Sequence, residues 1–181
     1  INNVTIDASG IMDGGSQTLT LTGNWVNNGS FACGTGTISF AGTSSVSGAS
    51  STTFNNVVIS GTLTAPNSNL YVNGNWTNNG TFNSGTGTIV FTGTGIIITG
   101  GTSSVEDFYN VERAAGGTMT LSGNIKINND LLISGGTFDV SASNYSVEVG
   151  GNWDSSGGDF IYNSGTVTLT GAGKTVITPS S

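Results

Sequence analysis

Few side chains in this 181-residue sequence are equipped for acid–base or nucleophilic chemistry. There are ten Asp and Glu, three cations (Arg113, Lys126 and Lys174) and no His. Without His, Ser-His-Asp triads and His-based metal sites are excluded. Polysaccharide cleavage on a β-solenoid needs clustered carboxylates beside Arg or Lys. Glu106 and Asp107 lie near Arg113, and Asp154 and Asp159 flank a loop. Neither set brings two carboxylates and a cation together at a clear spacing, so both read as solvated turn residues. The Gly-x-Gly steps lack the strand-to-helix context of a nucleotide site, and no GGxGxD-type calcium repeat is present. Cys33 is the one cysteine, with no His or cation beside it, and reads as a small packed or turn residue. The expectation is a chain that is not an enzyme and carries no cofactor.

Binding chemistry is the alternative. Trp25, Trp76 and Trp153 share one repeat position, which reads as a core or corner residue packing on its counterpart two or three turns away. The competing reading is an exposed aromatic platform for sugars, with Tyr71 and Trp76 as the candidate glycan contacts. Thr-x-Thr pairs such as Thr20/Thr22 raise ice binding, but Tyr, Ile and Glu interrupt any regular array. The net charge is −7, and three scattered cations make neither the basic stripe that nucleic acid requires nor a patch for anionic lipid. No apolar run approaches the roughly 18 residues of a membrane span.

The elements that position these residues are strands. Only 7% of residues are charged, against about 25% in ordinary soluble domains, while Gly numbers 30 and Ser, Thr and Asn fill most other polar positions. The apolar residues are chiefly Val, Ile, Phe, Tyr and Trp, gathered in short, regularly spaced clusters, as ordered β-structure favours. In Thr18–Gly23 (TLTLTG), Leu19 and Leu21 face one way and the threonines the other. Asn-Asn-Gly at 27–29 and 78–80 marks tight corners, where Gly and Asn tolerate φ > 0 and stacked Asn side chains can form ladders.

Three segments align: LTLTGNWVNNGSFACGTGTISF from Leu19, LYVNGNWTNNGTFNSGTGTIVF from Leu70, and VEVGGNWDSSGGDFIYNSGTVTL from Val147. The glycines of GNW fall at 23, 74 and 151, intervals of 51 and 77 that are both near multiples of about 25.6. Further markers at Gly48, Gly100, Gly123 and Gly171 support a unit of roughly that length. The spacing predicts one domain over 1–181: a right-handed parallel β-solenoid of about seven turns, each of roughly 25 residues and three short strands. Whole turns between copies are expected because residues one turn apart stack.

The pattern GNW-x-NNG-x-F-x-x-GTGT-φ-x-F (φ apolar), followed by SS-x-x-F-x-NV, resembles repeats in large bacterial secreted and cell-surface β-solenoid proteins, some exported with a type IX sorting tail. The likeness spans nearly the whole chain and is strongest at 19–59 and 70–111. It implies surface display, adhesion or matrix roles, with no catalytic residues to transfer. The start at Ile1 and the low Lys/Arg content add to an extracellular, processed reading. Joined tail to head, the ends read PSSINNVTIDASG, which mimics SSTTFNNVVISG at Ser50. The expectation is therefore a structural component of an extracellular filament, stalk or surface layer. Its partner is itself, head to tail, or adjacent repeats. The alternative is an adhesin or carbohydrate-binding module recognising polysaccharide on a lateral face.

Overall fold

The computed structural model describes residues 1–98 and 105–178. Short runs of β-branched and aromatic residues, broken every few positions by Gly, Asn or Ser, give strands of two to five residues and no helix among the described residues. Each strand pairs in parallel with the third strand before it, the third after it, or both. Three strands therefore make one turn, and the chain is a parallel β-solenoid of about nine turns.

The first side runs from Val4–Ile6 to Val167–Leu169, as sheets of five and four strands. The second runs from Ile11–Asp13 to Val176–Ile177, as sheets of two and seven. The third is one eight-stranded sheet from Thr18–Leu21 to Asp159–Ile161.

The turn is shorter than the repeat spacing predicts. Paired residues are separated by as few as 18 positions (Thr52 and Leu70) and as many as 24 (Gly95 and Met119). About nine turns replace the expected seven of 25 residues, and Gly100, one of the markers, lies outside the described residues. The cause is visible in the three GNW copies. Trp25 and Trp76 are eight strands apart, and Trp76 and Trp153 eleven, so each copy falls two-thirds of a turn beyond a whole number of turns. The three tryptophans consequently occupy the first, third and second sides, where their stacking partners are Val4 and Val46, Val57 and Ile97, and Leu131 and Val176. They do not stack on one another. The sides are alike enough that a motif recurs after a whole number of sides rather than of turns.

Alternation places two columns of chiefly apolar residues inside each side, as in Leu19, Ile38, Val57 and Trp76, and Leu21, Phe40 and Ile59, on the third. Each Trp anchors an aromatic cluster. Trp25 meets Phe31 and Phe54 edge-on, Trp76 meets Phe82 and Phe91 edge-on with Phe108 tilted beside it, and Trp153 meets Phe160 edge-on.

Corners are joined by asparagine. Asn3 Oδ1 accepts the amide of Asn24 one rung up at 2.7 Å, and Asn24 Oδ1 accepts Ser45 N at 3.0 Å. A longer ladder climbs from Asn110 through Asp130 and Asn152 to Thr175 in bonds of 3.1, 2.7 and 3.0 Å. The glycine of each GNW follows from this ladder, since a Cβ on Gly23, Gly74 or Gly151 would coincide with the side-chain oxygen of Asn3, Asn56 or Asp130.

The Asn-Asn-Gly corners differ from expectation. Gly29 and Gly80 are not among the described residues of positive φ, and Asn27 and Asn78 turn inward. Each of those Asn accepts the amide of its own Gly through Oδ1, at 3.2 and 3.0 Å. Glycine is required there because a Cβ would strike backbone oxygen of the rung below: Asp7 and Gly10 for Gly29, Gly61 for Gly80. Gly80→Ala is expected to cost about 2–3 kcal/mol in urea unfolding by forcing two rungs apart. Ala at the neighbouring exposed Asn79 should stay within about 0.5 kcal/mol of wild type. Equal effects would refute the close-approach account.

Candidate functional site

The acidic residues of interest fall in three environments. Glu106 is not a solvated turn residue. It lies on strand Val105–Phe108 with 2% exposure, in an inward column continued by Ile125, Val147 and Val167. Its carboxylate accepts Trp76 Nε1–H at 3.0 Å and Asn78 Nδ2–H at 2.9 Å. In the first copy the same two donors, on Trp25 and Asn27, are met by Thr52 Oγ1 and the carbonyl of Ser51. Desolvation pushes the Glu106 carboxyl up from 4.5 to about 7, helped by the adjacent Asp107 charge and opposed by the Asn78 and Trp76 bonds.

Arg113 is equally buried, at 0% exposure, in the inward column between Phe91 and Ile133. All five of its N–H donors go to backbone carbonyls: Thr137 from Nε at 3.3 Å, Phe91 and Ala114 from one terminal nitrogen at 2.7 and 2.6 Å, and Gly116 and Gly117 from the other at 2.9 and 2.7 Å. Burial pulls its pKa below the ordinary value. The guanidinium is thus committed to holding a corner.

The true register does assemble two carboxylates and a cation, a set missed at the 25-residue period. Asp107, Lys126 and Glu148 stand in one outward column of the first side, with Lys126 Nζ 3.7 Å from Glu148 Oε1. Spacings of 19 and 22 residues are the signal that would have found them. The flanking side chains are Asn124, Ser146 and Thr168, the groove is shallow, and about 40% of each ion-pair side chain is exposed. Alternating charge on adjacent parallel strands relieves like-charge repulsion and accounts for the column. Asp154 and Asp159 sit on strands of the second and third sides, and Ser156 holds the Asp154 carboxyl below its usual range by side-chain and backbone hydrogen bonds.

Of the two candidate glycan contacts, Trp76 has 0% exposure and both faces of its ring lie in the core. The packing reading holds for it, against its own aromatic cluster rather than another Trp. Tyr71 is half-buried on the second side, where its hydroxyl accepts Asn69 Nδ2–H at 3.4 Å. Its outward column continues as Thr53 below and Val90, Glu112 and Leu132 above, so no second ring extends it. The threonine array is likewise interrupted in the observed register, where Thr20 is followed by Ser39, Val58 and Thr77. Cys33 is half-buried beside a turn, its thiol donating to the Gly34 carbonyl at 3.6 Å and accepting Asn73 Nδ2–H at 3.6 Å.

An apolar concave feature lies at the C-terminal end of the described coil. A cavity of about 710 Å³ opens over the last described rung, lined by Trp153, Phe160, Ile161, Val167, Leu169 and Val176 among others. Leu169 is 48% exposed, Val176 52% and Tyr162 64%. The strands Asp159–Ile161, Val167–Leu169 and Val176–Ile177 are hydrogen-bonded only to the rung below, leaving their upper edges unpaired among the described residues. Residues that are core in every interior rung are here at the surface.

The Glu106 environment makes stability depend on pH. Below about 4.5 the carboxyl is protonated in both folded and unfolded chains; as pH rises the unfolded chain ionises first, and stability falls until the folded carboxyl titrates near 7. Between pH 5 and 8.5 the wild type should lose about 2–3 kcal/mol of unfolding free energy from this group. Glu106→Gln should lose most of that slope, and an unchanged slope would refute the assignment. Comparison with family models, curated proteins and solved structures finds no match to this chain.

Proposed function

We propose that this chain is a structural rather than catalytic element: a segment of an extracellular filament, stalk or surface layer that propagates by end-to-end stacking of β-solenoid turns. The observation that carries this reading is the apolar end rung, where Leu169, Val176 and Ile161 stand beside three strand edges that are unpaired among the described residues. An exposed edge backed by apolar side chains is a template for a further strand. A coil of stacked rungs is quasi-one-dimensional, so adding a rung buries the same surface as each interior rung buries. At about 4.8 Å per rung, nine turns make a rod roughly 43 Å long. The coil is right-handed, by the strong preference of parallel β crossovers.

Placement outside the cell is supported by the low cation content and by the resemblance of the GNW repeats to secreted surface solenoids. The side walls carry chiefly hydroxyls, carboxamides and single charges, with scattered outward aliphatics such as Ile11, which suits a stalk that does not aggregate laterally.

Negative-stain electron microscopy and sedimentation at rising concentration test the reading. Rods of one uniform width should lengthen with concentration. Leu169→Asp, which alters a half-exposed end residue, should leave the monomer folded and shift assembly to at least tenfold higher concentration. A wild-type chain that stays monomeric, or a variant that assembles as well as wild type, would overturn it.

A further inference from the structure

Asparagine followed by glycine is the dipeptide most open to one spontaneous reaction of the chain itself. The glycine amide nitrogen, which no side chain shields, attacks the carboxamide carbon of the asparagine before it. A C–N bond forms, the amide proton passes to water, and the side-chain nitrogen leaves as ammonia. Water then opens the succinimide ring to aspartate or isoaspartate. In a folded chain two conditions govern the step. The carboxamide must be free to turn toward the main chain, and the glycine nitrogen must be released from its hydrogen bond.

The sequence contains three such steps, Asn28-Gly29, Asn73-Gly74 and Asn79-Gly80, and the fold treats them differently. Asn28 is half-buried, and its Oδ1 accepts Ala49 N from the rung above at 3.0 Å. Gly29 N donates to Asn27 Oδ1 at 3.2 Å. Asn73 is also half-buried; its Oδ1 accepts the Thr92 hydroxyl and its Nδ2 donates to Cys33 Sγ at 3.6 Å. Gly74 N donates to the Asn55 carbonyl at 2.8 Å. At both steps the carboxamide and the attacking nitrogen are held. Asn79 is exposed, and its carboxamide makes no hydrogen bond among the described residues. There the nitrogen alone is held, by Gly80 N donating to Asn78 Oδ1 at 3.0 Å. Asn78 is fixed inside the coil in turn, its Nδ2 donating to Glu106 Oε2 at 2.9 Å.

We propose that Asn79-Gly80 is a spontaneous modification site of the folded chain, converting through a succinimide to aspartate and isoaspartate, and that Asn78 sets its rate by holding the Gly80 amide. The reaction consumes only water and needs no enzyme. Either product adds a negative charge beside a corner of a chain whose net charge is already −7. Isoaspartate also routes the main chain through the former side chain, one carbon longer than before. The corner has no room for that carbon, since a Cβ on Gly80 would coincide with the Gly61 carbonyl oxygen of the rung below. The two rungs then lose their spacing, so this corner is where a long-lived chain ages first. The site is independent of how the chain assembles.

Peptide mapping by mass spectrometry of the folded chain, held at mildly alkaline pH, tests this, with isoaspartate read by enzymatic methylation of its carboxylate. In guanidinium chloride the three steps should react at similar rates, because the dipeptides are the same. In the folded chain Asn79 should convert roughly tenfold faster than Asn28 and Asn73, the rate factor that one ordinary hydrogen bond carries. Equal rates at the three steps in the folded chain, or a lead at Asn28 or Asn73, would overturn the assignment. Asn78→Ala should raise the Asn79 rate by roughly a further tenfold and leave Asn28 and Asn73 as they were. An unchanged rate at Asn79 removes the restraining role from Asn78. So does an equal rise at all three steps, which is what general unfolding gives. The wild-type ratio decides the site whatever that variant does to the fold.

Discussion

Every rung of this molecule must lie on the rung below at the distance set by backbone hydrogen bonds between parallel strands, about 4.8 Å. That spacing is too small for two ordinary side chains to pass at a corner where backbone approaches backbone, and the sequence yields to it. Gly80 over Gly61 and Gly29 over Asp7 and Gly10 are glycines because carbonyl oxygen occupies the place of a Cβ. The asparagine ladders are the complementary response. At a corner the chain leaves the sheet and its amides lose their strand partners, so Asn3, Asn56 and Asp130 supply an acceptor from the rung below. One constraint thus produces both the Gly-Asn-Trp motif and the Asn-Asn pair that precedes it one rung down.

The same stacking decides how polar groups survive inside the coil. Inward columns are apolar almost throughout; the large polar exceptions carry their own partners, while the small Ser44 hydroxyl is buried without one. Arg113 places five donors on five carbonyls at a corner widened by Gly116 and Gly117, where a desolvated guanidinium costs least because every N–H is met. Glu106 receives the two donors that its neighbours in the repeat must satisfy, at the expense of a carboxyl that resists ionisation. Thr52 does the indole half of this work in the first copy without a charge. The second copy therefore carries a titratable group where the first shows none is needed.

The functional reading follows from where the regular pattern stops being satisfied. Along the walls most apolar residues are covered, Ile11 being an exception, and charges are paired or solvated; the Asp107–Lys126–Glu148 column is itself a product of stacking. At the end rung the same apolar positions are open among the described residues, and a further rung would cover them while continuing the backbone hydrogen bonding. A rod that extends along its axis while keeping polar walls is the behaviour such a distribution favours.

Much of this was legible in the amino-acid sequence. Alternation in Thr18–Leu21, the short apolar clusters and the Gly and Asn corners specify strands and their inward residues, because each depends on neighbours a few positions apart; the coil itself was read from the recurrence of the GNW copies, whose spacing is not in fact a whole number of turns. The burial of Trp25, Trp76 and Trp153 was legible for the same local reason. The length of a turn was not. It depends on which strand comes to rest on which, a contact some 20 residues distant, and three similar sides let a motif recur after eight or eleven strands as readily as after nine or twelve. With the turn length went everything counted in turns: the side on which each Trp lies, the partners of Thr20, and the meeting of Asp107, Lys126 and Glu148. The sequence by itself determined the strand and the corner through local sterics and alternation, and the recurrence of its GNW copies pointed to the solenoid. Only the tertiary structure decided the register, since register is fixed by backbone stacking between segments whose separation no local pattern records.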